Sequence, residues 1–339
     1  MKETINFLLN ESCPSVQYRV NKEILGREIN CLQSKILDDP EVRSFIKQQN
    51  KTGWIDQDLH SENGVETAIR VFFEKGLDNS NFCFTKMLSE LEKRENSFDN
   101  GCLKKVGRIL DEKGFGGSRL IRATLFCYAG LDNKEFVQEQ IEVALRAFKY
   151  VTRVNSLDEI TEMYKNKLVF SKEALWPGIY HLRLLAFSKS WRNERNKEML
   201  LEAIKRLIEL SPIPSINVLS KGQLVSPASF CMHDFNPQFE SMNDKEWMMW
   251  FHRIEMLARL GVMDKIDKLV HQIEWLKRHL SQHNELFVKR LNHYYFRKWG
   301  PYTGMKLEKD WRIEKRRISD LSFRSMLILH YSLVKQNRY

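Results

Sequence analysis

The chain repeats a turn. Gly76-Leu77-Asp78-Asn79-Ser80-Asn81-Phe82 returns 54 residues later as Gly130-Leu131-Asp132-Asn133-Lys134-Glu135-Phe136, each behind an apolar helical run, and a third copy opens at Gly261-Val262-Met263-Asp264. A glycine just past a helix end takes the left-handed conformation without a Cβ penalty, and an Asx residue after it accepts hydrogen bonds from the amides that open the next helix. The registration reaches beyond the turn, since Leu91, Leu145 and Leu276 each lie fifteen residues after their glycine. Helix, glycine stop and second helix is the punctuation of stacked hairpins, in which no unit buries its apolar face alone. The expected fold is therefore all-α, a single helical-repeat domain over residues 1–339, with an open HEAT-like solenoid as the alternative to a closed arrangement.

The rest of the chain agrees with helix. The spacing of apolar residues predicts helices near 16–36, 40–50, 65–75, 80–95, 103–112, 118–129, 134–152, 156–166, 177–190, 195–210, 243–260, 264–282, 285–297 and 317–335, with no strand pattern. Asp39-Pro40 reads as a helix cap followed by a first-turn proline, and Ser156 with Glu159 as a capping box. One long irregular segment, 211–241, is broken by Pro212, Pro214, Pro227 and Pro237. No apolar run reaches the roughly 20 residues that span a bilayer, and the Met1-Lys2-Glu3 start lacks the pattern of a secretory signal, so a cytoplasmic protein is expected. The six cysteines contain no Cys-x-x-Cys pair, which argues against a disulfide framework or a structural zinc site.

Aromatic residues beside glycine mark the joins, as in Gln49-Asn50-Lys51-Thr52-Gly53-Trp54 and Gly114-Phe115-Gly116-Gly117. Together with Pro14-Ser15-Val16-Gln17-Tyr18-Arg19, Leu25-Gly26-Arg27, Asp39-Pro40-Glu41-Val42, Trp176-Pro177 with Tyr180-His181, and Asp310-Trp311-Arg312 through Arg316-Arg317 to Asp320-Leu321 and Phe323-Arg324, these segments resemble bacterial proteins of the prenyltransferase and squalene-cyclase repeat family. The resemblance implies an α/α toroid, two concentric rings of helices around a central cavity, and an apolar, isoprenoid-like ligand, free or phosphorylated. It does not carry an activity over. The Asp-x-Asp-Asp acid of the cyclases is missing, and Asp38-Asp39 reads as a helix start. The zinc ligands of the prenyltransferases have no counterpart beyond Cys231-Met232-His233-Asp234, so no metal and no cofactor is expected and enzymatic activity is left undecided.

Charge is unevenly distributed. From Lys265 to Tyr339 there are 17 Lys or Arg against 7 Asp or Glu, a surplus equal to the net +10 of the whole chain. Trp275, Trp299, Trp311, Tyr294, Tyr295, Tyr302, Tyr331 and Tyr339 interleave with them. Basic and aromatic residues in that pattern attract phosphates and stack on bases, whereas the bland reading is a solvated end face over core aromatics.

Spacing and position nominate ligand-binding residues. Arg316, Asp320 and Arg324 stand four apart and form a ladder on one helix face, able to recruit an anion if inward. Trp250 and Arg253 share a face, an indole beside a guanidinium. Trp176, Tyr180 and His181 open a helix whose end would face the cavity mouth, and His233 with Asp234 lies in the proline-rich loop. Three functions compete on these grounds. The first is an apolar or anionic small molecule in an aromatic cavity. The second is nucleic acid or an acidic partner on the basic C-terminal segment 265–339. The third is an acidic sugar polymer, with Tyr180 or His181 as base.

Overall fold

The computed structural model describes residues 2–94 and 101–333. The ends of the helices expected at 80–95 and 317–335, and Lys335, Arg338 and Tyr339 of the basic segment, lie outside the described residues. In chain order the helices are α1 Lys2–Glu11, α2 Pro14–Arg19, α3 Cys31–Leu37, α4 Pro40–Gln48, α5 Val65–Lys75, α6 Phe82–Lys93, α7 Leu103–Glu112, α8 Ser118–Tyr128, α9 Glu135–Val151, α10 Ile179–Phe187, α11 Glu194–Glu209, α12 Asp244–Leu260, α13 Asp267–Ser281, α14 Tyr294–Arg297 and α15 Glu314–Leu333. Four short strands, β1 Thr161–Tyr164, β2 Lys167–Phe170, β3 Val218–Ser220 and β4 Gln223–Val225, complete the regular structure. The fold is mostly helical, and no described helix is long and apolar enough to cross a membrane.

The chain divides into two compact units, Met1–Glu95 with Met242–Tyr339, and Asn96–Ser241. In the first unit α12 packs along α15, α5 touches α4, α6 and α2, and α1 lies on α15 and α2. In the second, α8 and α10 pack on each other and on α9, α7 lies on α8, and α11 lies on α9. Nearly every residue of α8 and α10 is buried, whereas α9 and α11 carry one buried face. That alternation of enclosed and amphipathic helices is the hairpin layering expected of the repeat.

The repeated turn is built as its chemistry requires. Gly76, Gly130 and Gly261 have φ of 99°, 69° and 76°, and the Leu77 and Leu131 amides bond back to the Phe72 and Phe126 carbonyls at 2.8 and 3.1 Å. Leu91, Leu145 and Leu276 are all buried. The acids do not cap the following helix, however. Asp78 accepts from the Ser80 amide and pairs with Lys22, and Asp132 accepts from the Lys189 and Ser190 amides. Asp39 does cap its helix, taking the Glu41 amide at 2.9 Å.

Other expectations are corrected. The region 156–166 is not a helix: Leu157–Glu159 forms a single tight turn, and β1 pairs with β2 around Lys165 and Asn166, both at positive φ. Lys221-Gly222 turns β3 into β4 in the same way. Glu159 accepts from the Asn155 amide rather than closing the box with Ser156. Within 16–36, a π-helical turn at Val20–Ile24 and Gly26 at φ 63° break the helix. In place of the expected helix 285–297 the backbone turns at Asn284 and Glu285, φ 53° and 61°, and is helical again only at α14. Lys2–Glu11, outside the expected helices, forms α1.

Candidate functional site

In the second unit, Trp176-Pro177-Gly178 leads into α10. The Gly178 amide donates to His181 Nδ1 at 2.9 Å, and the Ile179 amide donates to the Ala228 carbonyl at 2.8 Å. A Cβ on Gly178 would stand 2.5 Å from that carbonyl, so glycine lets the proline-rich loop close on the helix start. The loop is clasped again where the Ile213 amide donates to the His233 carbonyl at 2.6 Å and His233 Nδ1 lies 3.0 Å from the Ile213 carbonyl. A carbonyl only accepts, so Nδ1 carries a proton. From below, β2 and the approach to β3 are joined by the Phe170 amide on the Asn217 carbonyl at 2.8 Å.

These contacts leave an apolar cleft walled by Phe170, Trp176, Ile213, Ile216, Pro227 and Met232, with His233 among its lining residues. Its space is about 340 Å³ including the open mouth. Phe115 continues the aromatic wall, 4.8 Å from the Phe170 ring, and the Trp176 ring is 6.0 Å from Phe170. The structure thus brings together Trp176 and His233. Tyr180 and His181 are buried and do not line the cleft. Burial pulls the His181 acid constant down to about 4, outweighing its backbone hydrogen bonds, which leaves the ring neutral at pH 7. Asp234 accepts from the Asn236 amide at 2.8 Å, and Cys231 is buried. Among the described residues, no group of three or more His, Cys, Asp or Glu could hold a metal ion.

The remaining nominated residues sit in the first unit. No family model, curated protein or solved structure matches the chain. The sites therefore stand on geometry.

Two of those motifs meet in a closed ring of charge. Arg19 pairs with Glu74 at 2.8 Å, Glu74 with Arg324 at 2.9 Å, Arg324 with Glu255 at 3.0 Å, Glu255 with Arg259 at 2.9 Å, Arg259 with Glu23 at 2.9 Å, and Glu23 with Arg19 at 2.5 Å. Phe323 lies under the Arg19 guanidinium at 5.0 Å, and Tyr331 both underlies Arg259 and donates its hydroxyl to Glu23. Burial alone would raise the pKa of Glu74, but Arg324 and Arg19 outweigh it and hold the pKa at about 2. Three cations and three anions cancel. The ring leaves Arg324 no free charge for an outside anion.

Beside it, Asp320 is 1% exposed and accepts from the Leu307 and Glu308 amides and the Trp311 indole N–H. Glu308 accepts from the Cys13 amide at 2.8 Å and the Ser319 hydroxyl at 3.0 Å. Burial first, and then the neighbouring Glu308 carboxylate, push Asp320 up to about 7. The expected ladder is therefore not formed: Arg316 pairs with Asp310, Arg324 joins the ring, and Asp320 binds backbone and indole. Trp250 is a core residue whose N–H donates to Gln272 at 2.9 Å, and Arg253 is buried on the same helix. Sequence reasoning missed Glu23, Glu74, Glu255, Arg259 and Glu308. Only the i,i+4 pairs Arg19/Glu23 and Glu255/Arg259 left a readable signal.

Proposed function

We propose that the second unit binds a small apolar group in the cleft beside Trp176. The observation that carries this reading is the convergence of Trp176, at the start of α10, with His233, from the proline-rich loop, on one apolar wall. A mostly apolar lining with a single placed polar group is what small-ligand sites use for affinity and orientation. With Nδ1 held by the Ile213 carbonyl, His233 leaves Nε2 as the polar atom able to meet a terminal hydroxyl. The ligand class is therefore a short prenyl alcohol, bound rather than transformed.

The α/α toroid belongs to the same reading. In the second unit, mostly buried helices next to amphipathic ones support it, because concentric rings need an enclosed inner layer. The polysaccharide reading loses its base, since Tyr180 and His181 are enclosed.

Calorimetric titration with prenol, geraniol and prenyl diphosphate tests the proposal. Binding should be one to one, stronger for the alcohols than for the diphosphate, and abolished by Ala228→Trp, which fills the cleft with an indole. Alcohol binding that survives the filled cleft, or no binding at all, would refute it.

A further inference from the structure

We propose that the exposed stretch 289–298 of the first unit, with Lys245, binds single-stranded nucleic acid, stacking bases on Tyr294 and neutralising phosphates with the surrounding lysines and arginines. This does not rest on the cleft, which belongs to the other unit.

The backbone here is anchored and its side chains are divided by role. The Phe287 amide donates to the Ser322 hydroxyl at 2.9 Å and the Asn292 amide to Asp244 at 2.6 Å, while Phe287, Leu291 and Phe296 are fully buried. Around those anchors Lys289, Arg290, Arg297 and Lys298 are exposed. The rings of His293, Tyr294 and Tyr295 cluster with centroids 4.6 to 4.7 Å apart, and Tyr294 remains 52% exposed. Lys245 approaches from α12, its ammonium 5.6 Å from the Tyr295 ring. A supported ring with one face in water, bordered by cations, is how base stacking and backbone attraction are combined on single strands.

The charge surplus seen in the sequence stays at the surface. Between residues 265 and 333, eleven Lys or Arg are exposed against three acids, Asp267, Glu274 and Glu314. The acids nearest the rings are engaged: Asp244 holds the Asn292 amide, Glu246 caps α12 through the Asn243 amide, and Glu62 pairs with Lys298 at 2.7 Å. That last pair is more than half exposed on both sides, so a phosphate can displace it at little cost. A duplex keeps its bases stacked inside, so an exposed tyrosine favours a single strand.

Fluorescence anisotropy with a labelled single-stranded oligonucleotide at several salt concentrations tests this on the full chain. Affinity should fall as salt rises, with a log–log slope reduced by about 0.7 for each phosphate contact removed in a Lys289→Ala, Arg290→Ala, Arg297→Ala variant. Tyr294→Ala should weaken binding on the order of 5- to 100-fold while leaving the salt slope unchanged. Heparin and poly-glutamate serve as polyanions without bases. Absence of binding at low salt, an unchanged affinity in Tyr294→Ala, or equal binding of poly-glutamate would overturn the proposal, the last pointing to an acidic protein instead.

Discussion

Arg19 and Arg324 hold the same carboxylate oxygen, Glu74 Oε2, at 2.8 and 2.9 Å. They come from α2 and α15, near opposite ends of the chain, so one glutamate at the end of α5 ties the first landmark segment to the last. Breaking a buried ion pair by removing one partner leaves an uncompensated charge and costs about 3–5 kcal/mol. Glu74→Gln should lower the urea midpoint accordingly, and adding salt should not reproduce the loss, because a buried network is screened little. The linkage has a sign: the folded Glu74 constant, about 2, lies below its unfolded value. Its stabilisation is present above the ordinary carboxylate range near pH 4 and is lost as pH falls toward 2.

Asp320 and Glu308 predict the opposite dependence. Both constants are raised, Asp320 to about 7, by burial first and for Asp320 then by its acidic neighbour. A raised carboxyl stabilises fully below its unfolded value near 4, and that contribution disappears as pH climbs through 7. Denaturation midpoints should therefore decline between pH 5 and 8, by roughly 2–4 kcal/mol of stability. Glu308→Gln keeps an oxygen for the Cys13 amide and Ser319 but removes the repelling charge, so its decline should be shallower. A parent protein equally stable at pH 5 and pH 8 would contradict this account.

Equivalent glycines of the repeat should respond unequally to alanine. Both Gly76 and Gly130 have positive φ, which costs an alanine about 1–2 kcal/mol. A Cβ at Gly130 meets nothing within 4 Å, whereas at Gly76 it would stand 2.6 Å from Tyr18 Cδ1. Gly76→Ala should thus lose a further 1–3 kcal/mol or so from overpacking. Equal losses in the two variants, measured by chemical denaturation, would mean that Tyr18 yields freely.

Gly178→Ala addresses the loop clasp. The added methyl would lie 2.5 Å from the Ala228 carbonyl, so the Ile179 bond to that carbonyl should break and the proline-rich loop should detach from α10. Limited proteolysis should then cut between residues 226 and 236 faster than in the parent. An unchanged cleavage pattern would show the clasp to be dispensable.

Much of the local structure was legible before any coordinates. The turn glycines, the Asp39 cap and the approximate extents of α5, α7, α8, α11 and α12 follow from helix-stop chemistry and apolar spacing. The hairpins β1–β2 and β3–β4 did not follow, because strands of three or four residues are too short to display a period; their trace was the Lys165-Asn166 and Lys221-Gly222 turns. Of the site residues, Trp176 and His233 were named for separate reasons, and nothing in the sequence said that they would share a wall.

The sequence alone determined the hairpins, because a helix end, a left-handed glycine and an apolar face are set by neighbours within a few residues. Tertiary structure alone decided where the charges went. Arg316, Asp320 and Arg324 have the spacing of a ladder, yet each took a different partner: Asp310, the Trp311 indole with two amides, and the Glu74–Glu255 pair. Exposed ions gain little from a neighbour one turn away, whereas a buried ion must be matched by whatever the packing brings to it. For Arg324 that match came from α5 and α12, segments its own helix cannot foretell.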